Sequence, residues 1–278
     1  MYEIIEKTSL NPTVSRITVR APRVAKKAEA GQFVILRTDG DGERIPLTIA
    51  DFDRALGTVD VIYQIVGATT RKLDALNVGD ALHDLVGPLG RPSELDGLNT
   101  VAVIGGGVGC AIALPIAKKL HALGATVHSV IGFRTRDLVI LENEFEAVSD
   151  RLDLMTDDGS AGEKGLVTAA LERLIADGNK YDEVIAIGPL VMMKFVCKLT
   201  EKYGIKTTVS MNPIMIDGTG MCGGCRLTVG GEMKFACVDG PDFDGHKVDF
   251  DEAIERGRMY AEFERHAYDE ACNLLQRK

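Results

Sequence analysis

The chain has 278 residues, 41 of them acidic and 32 basic, for a formal net charge of −9, and it is 45% hydrophobic and 26% charged. That is the composition of a soluble globular protein of about two or three domains, neither disordered nor fibrous, and its acidic balance excludes a nucleic-acid surface. No apolar run nears the roughly 18 residues that cross a bilayer. The opening Met1-Tyr2-Glu3-Ile4-Ile5-Glu6-Lys7 lacks the layout of a signal peptide, so a cytoplasmic protein without a membrane partner is expected.

The first hundred residues carry strand signals. Residues 14–20 put Ile17 and Val19 on one face and Arg16, Thr18 and Arg20 on the other, and residues 33–37 and 59–66 are rich in strand-forming types. The turn cluster Thr38-Asp39-Gly40-Asp41-Gly42 lies between them. Short strands at close spacing predict a small antiparallel barrel or sandwich. Gly87-Pro-Leu-Gly-Arg-Pro92 ends that pattern and marks a boundary near residue 97.

Beyond it, strands at 101–104, 126–132 and 183–187 alternate with helical stretches at 110–123 and 165–177, the pattern of a doubly wound parallel sheet. Pro115 requires the first helix to start late or to bend. After residue 204 the chain turns glycine- and cysteine-rich. It ends in a stretch read as one helix over 251–275, with Phe263, Ala267, Ala271 and Leu274/Leu275 at three- and four-residue steps. The expected division is 1–97 for the barrel, 98–203 for the nucleotide-type α/β unit, 204–250 for the cysteine-rich unit and 251–278 for the terminal helix.

Cysteines stand at 110, 197, 222, 225, 237 and 272, three of them within sixteen residues. Counting back four intervening residues from Cys222, as in plant-type [2Fe–2S] spacing, lands on Asp217, giving Asp-x4-Cys-x2-Cys-x11-Cys with glycines at 218, 220, 223 and 224. Asp217, Cys222, Cys225 and Cys237 are therefore the candidate metal ligands; an iron–sulfur cluster, a structural zinc or a reduced turn without metal all fit three thiols and a carboxylate. Cys110, Cys197 and Cys272 are isolated and read as small buried apolar groups.

Gly105-Gly106-Gly107-Val108-Gly109-Cys110 follows a strand and opens a helix, where a phosphate can approach the backbone, although Cys110 occupies the third glycine place of the dinucleotide fingerprint. By itself it reads as a nucleotide loop or as a tight turn. Gly188 and Pro189 end a further strand, at the sheet edge where α/β ligands bind. Arg134 and Arg136 follow the second strand and suit a pyrophosphate, a ribose 2′-phosphate or a solvated face, so NADH and NADPH are not distinguished. In the barrel, Arg44-Ile45-Pro46-Leu47-Thr48 sets a cation beside a stiffened strand and a hydroxyl, suited to a diphosphate. Ile62-Tyr63-Gln64 and Gly67-Ala68-Thr69-Thr70 offer an aromatic face, a turn and two more hydroxyls.

Taken together, these residues resemble the ferredoxin–NADP reductase superfamily. Within it the chain resembles the electron-transfer subunit of dihydroorotate dehydrogenase B, and more closely the small subunit of NADH-dependent reduced ferredoxin:NADP oxidoreductase. The latter subunits are similar in using one Asp and three Cys, where the former carry Cys at the place of Asp217, and the tail after residue 250 also fits them better. The resemblance implies FAD in the barrel against Arg44, Ile45, Pro46, Leu47, Thr48, Ile62, Tyr63, Gln64, Thr69 and Thr70, with the Gly67 turn a further cofactor-binding candidate. It implies NAD(H) over Gly105–Gly109 with Gly188-Pro189 near the nicotinamide, Arg134 being the cofactor-binding candidate read from the residues, and a [2Fe–2S] cluster in the tail. It further implies an electron-bifurcating heterodimer with a large subunit that carries FAD and [4Fe–4S] clusters and handles ferredoxin and NADP(H). An electron-transfer subunit serving dihydroorotate oxidation is the alternative, and a non-enzymatic nucleotide- and zinc-binding regulator a third.

Overall fold

The structure, a computed structural model, describes residues 2–276, with side chains described through Asp269. Its first sheet takes β1 (Tyr2–Asn11), β2 (Val14–Arg20), β3 (Phe33–Arg37), β4 (Ile45–Asp53), β5 (Thr58–Gln64), β6 (Ala81–Leu82) and β7 (Asp84–Leu89) in the order β6-β1-β2-β5-β4-β3-β7. The end strands β6 and β7 are consecutive in the chain, so the antiparallel sheet nearly closes on itself, as the sequence predicts. Its interior is filled by residues two apart on each strand: Ile17 and Val19 on β2, and Val59, Val61 and Tyr63 on β5. Helices α1 (Pro22–Ala25) and α2 (Ala68–Asp74) interrupt the strands.

The second sheet runs β11-β10-β9-β8-β12-β13-β16, from β8 (Thr100–Gly106), β9 (Thr126–Phe133), β10 (Arg151–Thr156), β11 (Glu163–Lys164), β12 (Glu183–Ile187) and β13 (Thr207–Ser210), all parallel, with β16 (Asp242–Asp244) antiparallel at the edge. Helices α3 (Cys110–Ala122), α4 (Glu142–Glu146), α5 (Val167–Ala176) and α6 (Leu190–Tyr203) accompany it. Strand order reverses between β8 and β12, which brings the loops after these two strands side by side at the carboxyl edge. Helix α3 runs through Pro115 from Cys110 without a delayed start. The sheet also reaches past residue 203, taking in β13 and β16 from the stretch expected to form only the cysteine-rich unit.

Between β13 and β16 lie the hairpin β14 (Arg226–Val229) and β15 (Glu232–Phe235) and the turn of helix α7 (Ala236–Asp239). The tail is not one helix. It divides into α8 (Phe250–Arg256) and α9 (Ala261–Gln276), separated at Gly257, and α8 packs on α6 and β14 while α9 crosses α2 of the barrel. The Arg71 guanidinium stacks on the Tyr268 ring there, 4.4 Å from its centroid. Phe263, placed on the predicted apolar stripe, is 75% exposed; the side chains of Ala271, Cys272, Leu274 and Leu275 lie outside the described residues. Among the described residues no helix is long and apolar enough to cross a membrane.

Barrel, sheet and cysteine-rich segment meet at Asp242. Ser93 of the connector donates its hydroxyl to Asp242 Oδ2 at 2.5 Å and its amide to Ala30 O of the barrel at 2.9 Å, while Asp242 is the register partner of Ser210. Asp242 as a residue is half-buried, but its Oδ1 is shut away without a hydrogen-bond partner. Burial pushes this carboxyl up to about 6 from its ordinary 3.8, against the hydrogen bond of Ser93 and the nearby Ser210 hydroxyl. The folded state therefore holds this proton more tightly than the unfolded one, and stability is lost as pH rises from 3.8 through about 6. Asp242→Asn should be more stable than the parent at pH 8 by about 2–3 kcal/mol. The gain should vanish near pH 4, which urea unfolding at the two pH values measures.

Candidate functional site

The glycine loop is built by close backbone approach. Gly107 has φ +56°, a conformation that favours glycine. A Cβ on Gly109 would lie 2.5 Å from Ile187 O and 2.7 Å from the Gly188 Cα, so the loops after β8 and β12 touch backbone to backbone. Cys110 fills the third glycine place because Gly105 leaves room for it: a Cβ on Gly105 would meet Cys110 Sγ at 2.8 Å. The Cys110 thiol is fully buried, and burial pushes its pKa up.

A cleft of about 740 Å³ opens between this loop and the barrel. Of the predicted residues, Gly106, Gly107, Val108, Gly109, Arg134, Gly188 and Pro189 line it from the sheet side and Gln64 from the barrel. Arg136 is not on its wall; its amide is capped by the Ser160 hydroxyl at 2.7 Å. Asn11, Thr13, Asp157, Thr168 and Asn212 also line the cleft and escaped the sequence reading. For Asp157 the signal was present, since Asp157-Asp158-Gly159 is a turn following a strand.

On the barrel, Arg44, Ile45, Pro46, Leu47 and Thr48 are all half-buried, without the inside–outside alternation of a filled strand. Arg44 Nε donates to Ile216 O at 2.8 Å, tying β4 to the cysteine-rich segment. Three expectations need correction here. Tyr63 offers no aromatic face: it is 1% exposed, inside the barrel, with its hydroxyl donating to Asp74 Oδ1 at 3.2 Å. Ile62 likewise turns its side chain into a core, leaving only backbone for a ligand. The hydroxyl of Thr70 is spent, Oγ1 accepting from the Val66 and Gly67 amides at 3.0 Å each and donating to Gly67 O at 3.1 Å, while Thr69 gives its proton to Glu43 Oε2 and keeps only acceptor sites.

In the cysteine-rich segment the buried Cys225 and Cys237 bring their sulfurs to 3.2 Å, as free thiols. Burial and the neighbouring Cys225 thiol push Cys237 up to about 12. Cys222 is exposed on the loop. Asp217 clasps that loop, its Oδ1 accepting from the Thr219 amide at 2.8 Å and Oδ2 from the Cys222 amide at 2.7 Å. These amides, Thr219 first, hold the carboxyl below its ordinary range. Among the described residues no three of His, Cys, Asp and Glu are already gathered as a metal site. The donor set nevertheless fits an iron–sulfur cluster: a thiol pair, a third thiol three residues away, a carboxylate whose oxygens keep further lone pairs, and glycines that free the loop's backbone.

Residues 212–249 match the iron–sulfur cluster binding domain of dihydroorotate dehydrogenase B. A protein of Thermotoga maritima named as a homolog of the dihydroorotate dehydrogenase B (NAD(+)) electron transfer subunit is 46% identical over 269 residues, 97% of this chain and 95% of the relative. The chain belongs to the family of dihydroorotate dehydrogenase B electron-transfer subunits. Within that family, the electron transfer subunit of Streptococcus pneumoniae is 33% identical over 249 residues, 87% of this chain and 94% of its own length. A solved chain from the NADH-dependent reduced ferredoxin–NADP oxidoreductase structure, described for flavin-based electron bifurcation, superposes with a TM-score of 0.92 at 45% identity, covering 97% of both chains. The fold is thus of the ferredoxin–NADP reductase type with an added iron–sulfur domain, the chain is an oxidoreductase subunit, and its relatives are electron-transfer subunits of heteromeric complexes.

Proposed function

We propose that this electron-transfer subunit is the flavo-iron–sulfur small subunit of an electron-bifurcating NADH-dependent reduced ferredoxin:NADP oxidoreductase, with FAD, NAD(H) and a [2Fe–2S] cluster. The observation that carries the reading is the 0.92 TM-score at 45% identity along 97% of the chain; a cleft at the sheet edge, and a cysteine-rich segment that Arg44 ties to the barrel, stand beside it. The proposed large partner carries FAD and [4Fe–4S] clusters and is where ferredoxin and NADP(H) act.

Residues 1–97 would hold FAD, through Arg44–Thr48, the backbone of Ile62 and Tyr63, Gln64, and the Gly67–Thr70 turn. Residues 98–203 would hold NAD(H) over Gly105–Gly109, with Arg134 meeting phosphate charge and Gly188-Pro189 beside the nicotinamide. Asp217, Cys222, Cys225 and Cys237 would hold the cluster within 204–250. When bound, the flavin supplies the conversion between the two-electron hydride of NAD(H) and the single electrons an iron–sulfur centre accepts. The chain itself supplies position. The bare backbones of Gly109 and Gly188 let a dinucleotide lie close to the sheet edge, and Val108, Ile112, Leu138 and Ile140 give the cleft a dry wall. Gln64 faces that wall from the barrel, and Arg44 fixes the distance between β4 and the cysteine loop.

A second reading, service to a dihydroorotate-oxidising large subunit, is favoured by the match of residues 212–249. Anaerobic addition of NADH to the native complex separates them. The proposed function predicts bleaching of the flavin and NADP+ reduction that requires NADH and reduced ferredoxin together, one NADH and two reduced ferredoxins giving two NADPH; NADH formation from dihydroorotate instead would replace it with the second reading.

A further inference from the structure

A groove of about 360 Å³ opens beside the cysteine loop, between residues 211–216, β14 and the turn that joins α8 to α9. Ile214, Leu227, Met259 and Tyr260 give it an apolar lining, and the charged side chains on its wall are Arg226 and Arg256. Each guanidinium spends a donor on the cysteine loop: Arg226 Nη1 on Gly223 O at 3.1 Å, and Arg256 Nη2 on Gly224 O at 3.5 Å. An arginine carries five N–H donors, and among the described residues neither of these two forms an ion pair with a carboxylate. Two cations without a direct ion-pair partner, Glu252 being the carboxylate held nearby by the Thr228 amide, thus bracket an apolar groove on a chain whose net charge is −9.

The rim is apolar too. Ile216, Met259 and Tyr260 are exposed, and Met221, next to Cys222, is 89% exposed. Single exposed apolar side chains are ordinary, but these are contiguous with the loop that would pass electrons outward. A partner that covers this loop takes the two guanidiniums out of water, which is costly unless it brings counter-charges. A neutral or basic surface would leave them unpaired.

We propose that the groove seats an acidic, apolar segment of the large subunit, its carboxylates on Arg226 and Arg256 and an aliphatic or aromatic side chain between them against Met259 and Tyr260. This inference rests on the proposed role as an electron-transfer subunit and adds the chemistry of the docking element. It implies that association weakens with salt, since opposite charges attract across the interface.

The test uses the full chain and the large subunit that co-purifies with it. Arg226→Glu with Arg256→Glu should raise the dissociation constant at least about tenfold and reverse its salt dependence, since salt then screens a repulsion. Met259→Asp, which leaves both loop contacts alone, should weaken binding in the same direction. Iron content and the NADH-bleached flavin of each isolated variant report that the chain remains loaded. Wild-type affinity and salt dependence in Met259→Asp and in the double variant would overturn the inference while leaving the proposed function standing. So would disruption of a homodimer of this chain in place of the heteromeric complex. If the wild-type chain carries no large subunit at all, the proposed function fails, and this inference with it.

Discussion

A Cys225→Ala chain is expected to purify without its iron–sulfur colour. Cys225 is 1% exposed and its sulfur lies 3.2 Å from that of Cys237, so no other side chain can take its place. Loss of a direct ligand should cost more than the roughly 10–100-fold in affinity that follows removal of a group merely supporting a ligand. Iron and acid-labile sulfide should fall to near zero, while NADH still bleaches the flavin, because the cleft is built from other elements. Cys197→Ala is the matched control: Cys197 is buried but stands alone, so its replacement should leave the iron in place. Cluster assembly should also depend on pH. Burial favours the protonated form of Cys237, and a metal must displace that proton to bind.

Gly109→Ala is expected to have the largest effect on the nucleotide side. The backbone angles of Gly109, φ −58° and ψ −21°, suit alanine, so strain is not the obstacle. The obstacle is space: the new methyl would stand 2.5 Å from Ile187 O and 2.7 Å from the Gly188 Cα, both main-chain atoms that cannot swing aside. The loops after β8 and β12 must part, which costs about 1–3 kcal/mol, as overpacking generally does. With the wall of the cleft displaced, NADH should bind at least about tenfold more weakly, the loss of roughly 1.4 kcal/mol of contact. Calorimetric titration with NADH measures this, and unchanged iron content shows that the cysteine-rich segment is unaffected. Wild-type affinity in this variant would remove the glycine loop from the nucleotide site.

Much of this architecture is legible in the residues. Alternation on β2 and the apolar run of β8 reflect burial on one face and on two faces respectively, and the glycines after β8 mark a backbone-lined edge. The position of Tyr63 is legible too, because it shares a face with Val59 and Val61 four and two residues earlier, and that face is the barrel interior. Its aromatic ring suggested a ligand contact only when taken out of that register. Other features depend on pairings distant in the chain. The strand β16 is three residues long and exists because β13 offers it an edge. The hydroxyl of Thr69 is claimed by Glu43, twenty-six residues away. The tail breaks after Arg256 because Gly257 and the turn behind it let α8 stay on the cysteine-rich hairpin while α9 reaches the barrel; helical periodicity carries no record of that change of partner.

Asp217 shows the same division. The spacing to Cys222 marks it as a candidate ligand, while its present bonds to the Thr219 and Cys222 amides make it the clasp of the loop. These roles are compatible, since a carboxylate has lone pairs enough to accept two amides and still meet iron. The clasp holds the exposed Cys222 at a fixed reach from the buried Cys225–Cys237 pair.

The central claim is that this segment holds iron and sulfide while the barrel holds a flavin. Its most direct test is metal, acid-labile sulfide and flavin analysis of the anaerobically purified chain, with electron paramagnetic resonance after dithionite. About two irons, about two sulfides and about one FAD per chain are expected, with a reduced-cluster signal. Zinc without sulfide or flavin, and no signal on reduction, would contradict it.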